Sequence, residues 1–186
     1  MNEREIKIVE TALQLFSHYG VKKTTMSEIA TAAGVARQTL YNAYDCKEKL
    51  IYDAVEHHVR KSSSLISEEC AELDTLGERL DVAFFHLSAK PCEMMLQMPH
   101  GEEILQIVEG IDASKKESIV RICNEAIGNA LEPFRDRLRL GTVEFGDLCN
   151  FIRLSFDQIR TKSEEKNQID RSYAPLRQLL ENSVRN

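Results

Sequence analysis

Tryptophan is absent, and the 186 residues hold only eight glycines and four prolines. Runs of β-branched residues are scarce as well. Few enforced turns and few strand-like runs argue against a chain of many short strands, and a mostly helical protein follows. No apolar run approaches the roughly 18 residues of a membrane span, so no membrane partner is expected. The five cysteines, Cys46, Cys70, Cys92, Cys123 and Cys149, are odd in number, scattered, and without a CxxC pair. That excludes a disulfide framework and suits a reducing cytoplasm. The first residues, Met1-Asn2-Glu3-Arg4-Glu5, are charged and lead into a helix, without the pattern of a signal peptide. A cytoplasmic protein is the expectation.

Chemistry-bearing motifs are lacking too. There is no paired acid and base, no activated nucleophile and no phosphate loop, so no catalytic residue is assigned and the chain is not expected to be an enzyme. His57, His58, His86 and His100, with Cys92, could in principle bind a metal. They show no ligand spacing such as His-x-x-x-His, and structural or surface roles are preferred. No metal or cofactor is expected.

What is present begins with hydrophobic residues, at 42%, enough for a buried core. The formal charge is −6, unpromising for a nucleic-acid binder until it is divided. Residues 1–61 carry nine Lys and Arg against eight Asp and Glu, whereas residues 62–186 carry fifteen against twenty-two. The acid lies away from the N-terminal part, where affinity for a polyanion must come from local placement of cations.

Helical periodicity organises the chain. Ile6, Val9, Leu13 and Phe16 predict a first helix ending near Gly20, with Lys22 and Lys23 in the loop that follows. Thr25 and Glu28 form a capping box for a second helix, which carries Ile29, Ala30 and Ala33 inward and stops at Gly34. Val35 and Leu40 pack a third helix back onto the first two. From Lys47 an apolar face runs through Leu50, Ile51, Ala54, Val55, His58 and Val59 to Leu65 and Ile66, predicting one long helix with no flexible linker. The boundary is therefore set at 46/47, with residues 1–46 as one domain and 47–186 as the other. Further helices are predicted over 76–87, ending before Pro91, in two short pieces around Pro99-His100-Gly101, over 119–131 with a bend at Pro133, over 143–159, and in a short terminal stretch over 176–184.

Helices two and three have the residue types of a helix-turn-helix. Ala30 is small where the helices cross, Gly34 tolerates positive φ, and Ile29, Val35 and Leu40 anchor the flanks. The outer side of helix three carries Arg37, Gln38, Thr39, Tyr41 and Asn42. Arg can pair with guanine O6 and N7, Gln or Asn with adenine N6 and N7, and Thr with a thymine methyl. The hydroxyls of Thr39 and Tyr41 suit phosphate oxygens, and Lys47 opens the long helix where its charge and the helix dipole would attract phosphate. An ordinary solvated helix face would show a similar polar composition.

The larger set of residues resembles a known family. Ala12-Leu13-x-Leu15-Phe16-x-x-x-Gly20, Thr24-Thr25-Met26-x-x-Ile29-Ala30-x-x-Ala33-Gly34-Val35, and Thr39-Leu40-Tyr41 followed by Lys47-x-x-Leu50 are similar to the DNA-binding domain of TetR-family bacterial transcriptional regulators. The resemblance implies an all-α protein: an N-terminal three-helix helix-turn-helix domain joined by the long helix to a helical domain for ligand binding and dimerisation. It also implies a homodimer on a palindromic operator in double-stranded DNA, usually as a repressor. By position it places Thr25 and Met26 at the DNA backbone, Arg37, Gln38, Thr39 and Asn42 in the groove, and Tyr41 and Lys47 on phosphates. The chain departs from the family pattern at Ala36, where a capping Ser is common, at Ala43-Tyr44, where an aromatic pair is common, and at Asp45-Cys46.

Beyond this domain the sequence leaves alternatives open. Phe84, Met94, Met95 and Met98 form an apolar, adaptable set that suits either a pocket for an unknown small-molecule effector or an ordinary core. Residues 115–139 and 142–163 carry apolar stripes broad enough for core plus partner contacts, and are the candidate dimer interface. The C-terminal helices could instead bind a protein partner while the chain sits on DNA. Cys46, next to Lys47, reads either as a tolerated small residue or as a thiol whose oxidation alters DNA binding.

Overall fold

A computed structural model describes residues 1–162 and 166–185. Among these residues the regular elements are helical, and the one β feature is an isolated bridge between Leu138 and Val184. The α-helices are α1 (Glu3–Tyr19), α2 (Met26–Ala33), α3 (Arg37–Ala43), α4 (Lys47–Cys70), α5 (Leu76–Phe84), α6 (Lys90–Gln97), α7 (Gly101–Gly110), α8 (Ala113–Leu131), α9 (Phe145–Lys162) and α10 (Lys166–Asn182). A π-helical turn, Phe85–Ala89, joins α5 to α6, and a 3-10 turn, Glu132–Arg137, follows α8. No helix of the described residues is long and apolar enough to cross a membrane.

Contacts divide the chain into two units: residues 1–58 with 95–118, and residues 59–94 with 119–186. The sequence placed the boundary at 46/47, at the start of α4. The division by contacts falls inside α4, whose first turns bury Leu50, Ile51 and Ala54 in the N-terminal core. Residues 95–118 group with the N-terminal unit, with Ile104 fully buried there.

The N-terminal unit is built on good local signals. Asn2 and Glu5 form a capping box for α1, and Ile8, Val9, Ala12 and Phe16 supply its buried stripe. Helix α2 starts at the expected box, with Thr25 Oγ1 accepting from the Glu28 amide at 3.2 Å and Glu28 Oε2 accepting from the Thr25 amide at 2.7 Å. Those bonds hold the Glu28 carboxyl below its ordinary value. The stabilisation is therefore complete above the ordinary carboxylate range and is lost as pH falls through the lowered value. Thr25→Ala is expected to cost about 1 kcal/mol through the lost hydroxyl cap, read as a lower urea midpoint, with less sensitivity to acid than the parent.

In the C-terminal unit, α5, α9 and α10 pack around Leu80, Phe84, Ile127, Leu131, Ile152, Phe156 and Ile169. The Tyr173 ring stacks on Phe84 with centroids 3.8 Å apart, and its hydroxyl donates to Asp81 Oδ1 at 2.7 Å. Burial and the Asp81 carboxylate both push the phenol's pKa up. Arg177 Nε donates to the same oxygen at 2.7 Å.

Two helical segments contain prolines, and at the first the sequence placed a boundary. The predicted end before Pro91 is not an end, since the chain stays helical through a π turn. Pro91 has no amide for the carbonyl that an i→i−5 pattern would assign to it, that of His86, and the buried Ser62 hydroxyl donates to this oxygen at 3.3 Å. Likewise α10 begins at Lys166 rather than near 176 and contains Pro175. Ile169, Tyr173 and Leu180 continue one buried stripe along it while Pro175 stays on the exposed side.

Candidate nucleic-acid interface

The helix-turn-helix rests on a left-handed residue at its turn. Gly34 has φ 69° and ψ 34°, and its amide bonds back to the last turn of α2. A side chain at such a φ would be strained, which is why glycine stands there. Ile29 and Leu40, both fully buried, fix α2 and α3 against α1, while Val35 is half-buried between them. The anchors expected from the sequence are thus the ones that set the angle of α3.

Helix α3 is locally weak. Ala36 occupies its N-cap without a side-chain bond, its first turn has no acidic residue, and a cation, Arg37, sits there instead. A positive charge at a helix N-terminus opposes the dipole. Ala36→Ser is expected to raise thermal stability by about 1 kcal/mol by supplying the missing cap, measured by calorimetry.

The outward residues form one exposed surface. Arg37, Gln38, Tyr41 and Asn42 are exposed and Thr39 is half-buried. Gln38 Nε2 donates to Asn42 Oδ1 at 2.8 Å, so the two amides are held as an i, i+4 pair. Tyr41 is 49% exposed despite its ring. Thr25 is exposed at the start of α2, and Met26 beside it is partly buried against the N-terminal core.

Lys47 is engaged within the protein. Its Nζ donates to Val21 O at 2.6 Å and Thr24 O at 3.1 Å, tying the start of α4 to the α1–α2 turn. The ammonium is directed at carbonyls within the protein. Lys49 acts similarly at the other end of α3, donating to Ala43 O at 2.7 Å with its Nζ 5.5 Å from the Tyr44 ring centroid. Lys47→Met is expected to lower the unfolding midpoint while leaving the slope of log affinity for DNA against log salt within about half a unit of the parent. A phosphate contact would remove about one unit of slope.

Sequence reasoning missed two features. Lys7 Nζ on α1 lies 3.8 Å from the position a Cβ on Gly34 would occupy, placing a cation beside the turn. Glu103 on α7 accepts from the Lys22 amide at 3.1 Å through Oε2. Neither is signalled by local pattern, since each is separated in sequence from what it meets.

The other candidates disperse. Phe84 lies in the C-terminal core, whereas Met95 and Met98 pack against the N-terminal core and Met94 is exposed. Burial pushes the Cys46 thiol up, with Asp45 and Glu48 adding to the shift, which disfavours a reactive thiolate. His86 is buried against Glu69 at 2.9 Å, His100 lies near Glu103, and the Cys92 thiol donates to Arg160 O.

Fold and surface together define a helix-turn-helix protein. Residues 8–54 match the family described as bacterial regulatory proteins, tetR family. The chain is similar to the uncharacterized HTH-type transcriptional regulator YerO of Bacillus subtilis, with 34% identity over 62 residues, 33% of this chain and 22% of that protein. It spans less than two thirds of the length of the curated relatives it matches. Its fold is similar to that of a TetR-family transcriptional regulator from Pectobacterium atrosepticum, at 18% identity and TM-score 0.70, covering 99% of this chain and 95% of that one. It is also similar to Thermus thermophilus FadR, a TetR-family repressor solved with lauroyl-CoA, at 19% identity and TM-score 0.64, covering 98% and 96%.

Proposed function

We propose that the chain is a sequence-specific DNA-binding transcriptional regulator, acting as a homodimeric repressor on a palindromic operator and released by a small-molecule effector. The observation that carries the reading is the exposed polar face of α3, with Arg37, Gln38, Tyr41 and Asn42 projecting from a helix whose opposite side is anchored by Leu40. The family match over residues 8–54 supports it. In a dimer, two such helices would enter successive major grooves about 34–36 Å apart.

Dimerisation is supported by α9, which exposes Phe151, at 58%, and Leu154 one turn apart. Large apolar side chains this open on a helix suit a self-complementary contact. Effector release is supported by similarity of fold to proteins solved with small ligands, the FadR–lauroyl-CoA complex, RolR with resorcinol and SmeT with triclosan. A protein partner bound to the C-terminal helices is the second reading, favoured by the packing of Phe84 against Tyr173, which fills its surroundings with protein.

Selection of duplexes from a randomised pool tests the main proposal. A palindromic consensus with two protomers per duplex is expected. Recovery of no consensus at moderate salt overturns the reading.

A further inference from the structure

The turn between α1 and α2 is held by groups from three places. Thr24 Oγ1 donates to Gly20 O at 2.8 Å, and Lys47 Nζ donates to Val21 O and Thr24 O. The third is Glu103, from the segment 95–118 that returns to this unit. Ile104, the next residue, is fully buried in the same core, so the register of α7 on the unit is fixed by packing.

Room for the carboxylate comes from Gly20. A Cβ there would stand 3.1 Å from Glu103 Oε1 and 3.4 Å from the His100 ring, and Gly20 has φ 86°. A side chain at position 20 would be strained and would also crowd the carboxylate. Glu103 Oε1 lies 3.7 Å from His100 Nδ1, which faces it from the start of α7. The turn held in this way leads at once into Thr25, the cap of α2, and α2 supports α3 through Ile29 and Leu40.

We infer that Glu103 is a positioning residue for DNA binding, fixing the α1–α2 turn so that operator affinity depends on where α7 sits. The inference rests on the DNA-binding reading above. It gives residues 95–118 a direct hold on the reading unit, and α6 and α8, the helices that flank α7 in sequence, both extend into the other unit.

The test uses the full-length protein, a duplex selected by the parent from a randomised pool, a scrambled duplex, and amide hydrogen exchange. Glu103→Ala is expected to speed exchange at Lys22 and to weaken binding of the selected duplex by about five-fold or more, within the range of ordinary coupling between sites. Binding to the scrambled duplex is expected to change less than about two-fold, since non-specific binding is set by phosphate contacts. Glu103→Gln, whose side-chain oxygen can still accept the amide, is expected to restore most of the affinity. Should Glu103→Ala not fold, Glu103→Asp, which draws the carboxylate back by one methylene, takes its place with the same expectations.

Unchanged exchange at Lys22 overturns the inference, as does faster exchange with unchanged affinity, or equal weakening on both duplexes. A parent protein that selects no duplex overturns the DNA reading itself and this inference with it. Selection by the parent with an indifferent Glu103 variant overturns the inference alone.

Discussion

Arg37→Ala is expected to cost about 1–3 kcal/mol of operator affinity and to relax preference at one base pair of each half-site, while binding to scrambled DNA falls far less. Lys47 and Lys49 direct their ammonium groups at backbone carbonyls, so neither acts as a free probe of a groove. Arg37 is exposed in the first turn of α3, where the helix dipole opposes it and no side chain caps the helix. A residue that weakens its own helix and stays exposed is expected at a functional position, where local consistency gives way to use. Its guanidinium can pair with guanine O6 and N7 through two parallel bonds, which no neighbouring side chain on α3 can replace. Equilibrium titrations against the selected duplex and single-base variants check the expectation. Equal losses on selected and scrambled duplexes would show a phosphate contact instead.

Leu40→Ala is expected to destabilise the N-terminal unit by about 2–5 kcal/mol and to abolish specific binding at 25 °C. Leu40 is fully buried and is the buried residue of a seven-residue helix. Such a helix is too short to persist without packing. Removing the anchor leaves a cavity among Ile29, Val35 and the α1 side chains, and also releases the outward face that Arg37 and Gln38 share. Denaturant unfolding followed by amide exchange in residues 37–44 measures the loss. A change below about 1 kcal/mol would mean that α3 is held elsewhere, through Lys49 and Tyr44.

The N-terminal unit shows how much of a fold can be legible locally. The Thr25–Glu28 box, the left-handed Gly34 and the buried Ile29, Ala30, Ala33 and Leu40 are all short-range signals, and each occurs where the sequence placed it. Their physics needs only three or four residues: a hydroxyl reaching an amide, a missing Cβ at positive φ, an apolar stripe of helical period. The long helix from Lys47 is legible for the same reason, as Leu50, Ile51, Ala54 and Ile66 keep helical spacing along its buried face. Pro91 marked a helix end because a proline's local cost is visible in the sequence and what offsets it is not. Ser62, twenty-four residues before His86, answers one orphaned carbonyl, and burial of Ile169 and Tyr173 extends α10 across Pro175.

The role of Lys47 illustrates a different limit. Its charge and its place at a helix start are visible in the sequence, and both are compatible with phosphate. Which oxygen it meets depends on the path of the turn at residues 20–24, and that path depends in turn on Gly20, Thr24 and Glu103. The methionines are a similar case. Their softness is a property of the residue, but Met95 and Met98 pack against one core cluster and Phe84 belongs to the other.

By itself the sequence determined the helices, their caps, the helix-turn-helix and the polar face of α3, because periodicity, capping and turn chemistry act within a few residues. Only the tertiary structure decided that residues 95–118 complete the N-terminal core and that Lys47 and Glu103 converge on one turn. Those contacts join positions up to 81 residues apart, and the free energy that selects them comes from burial and hydrogen bonds that no local segment contains.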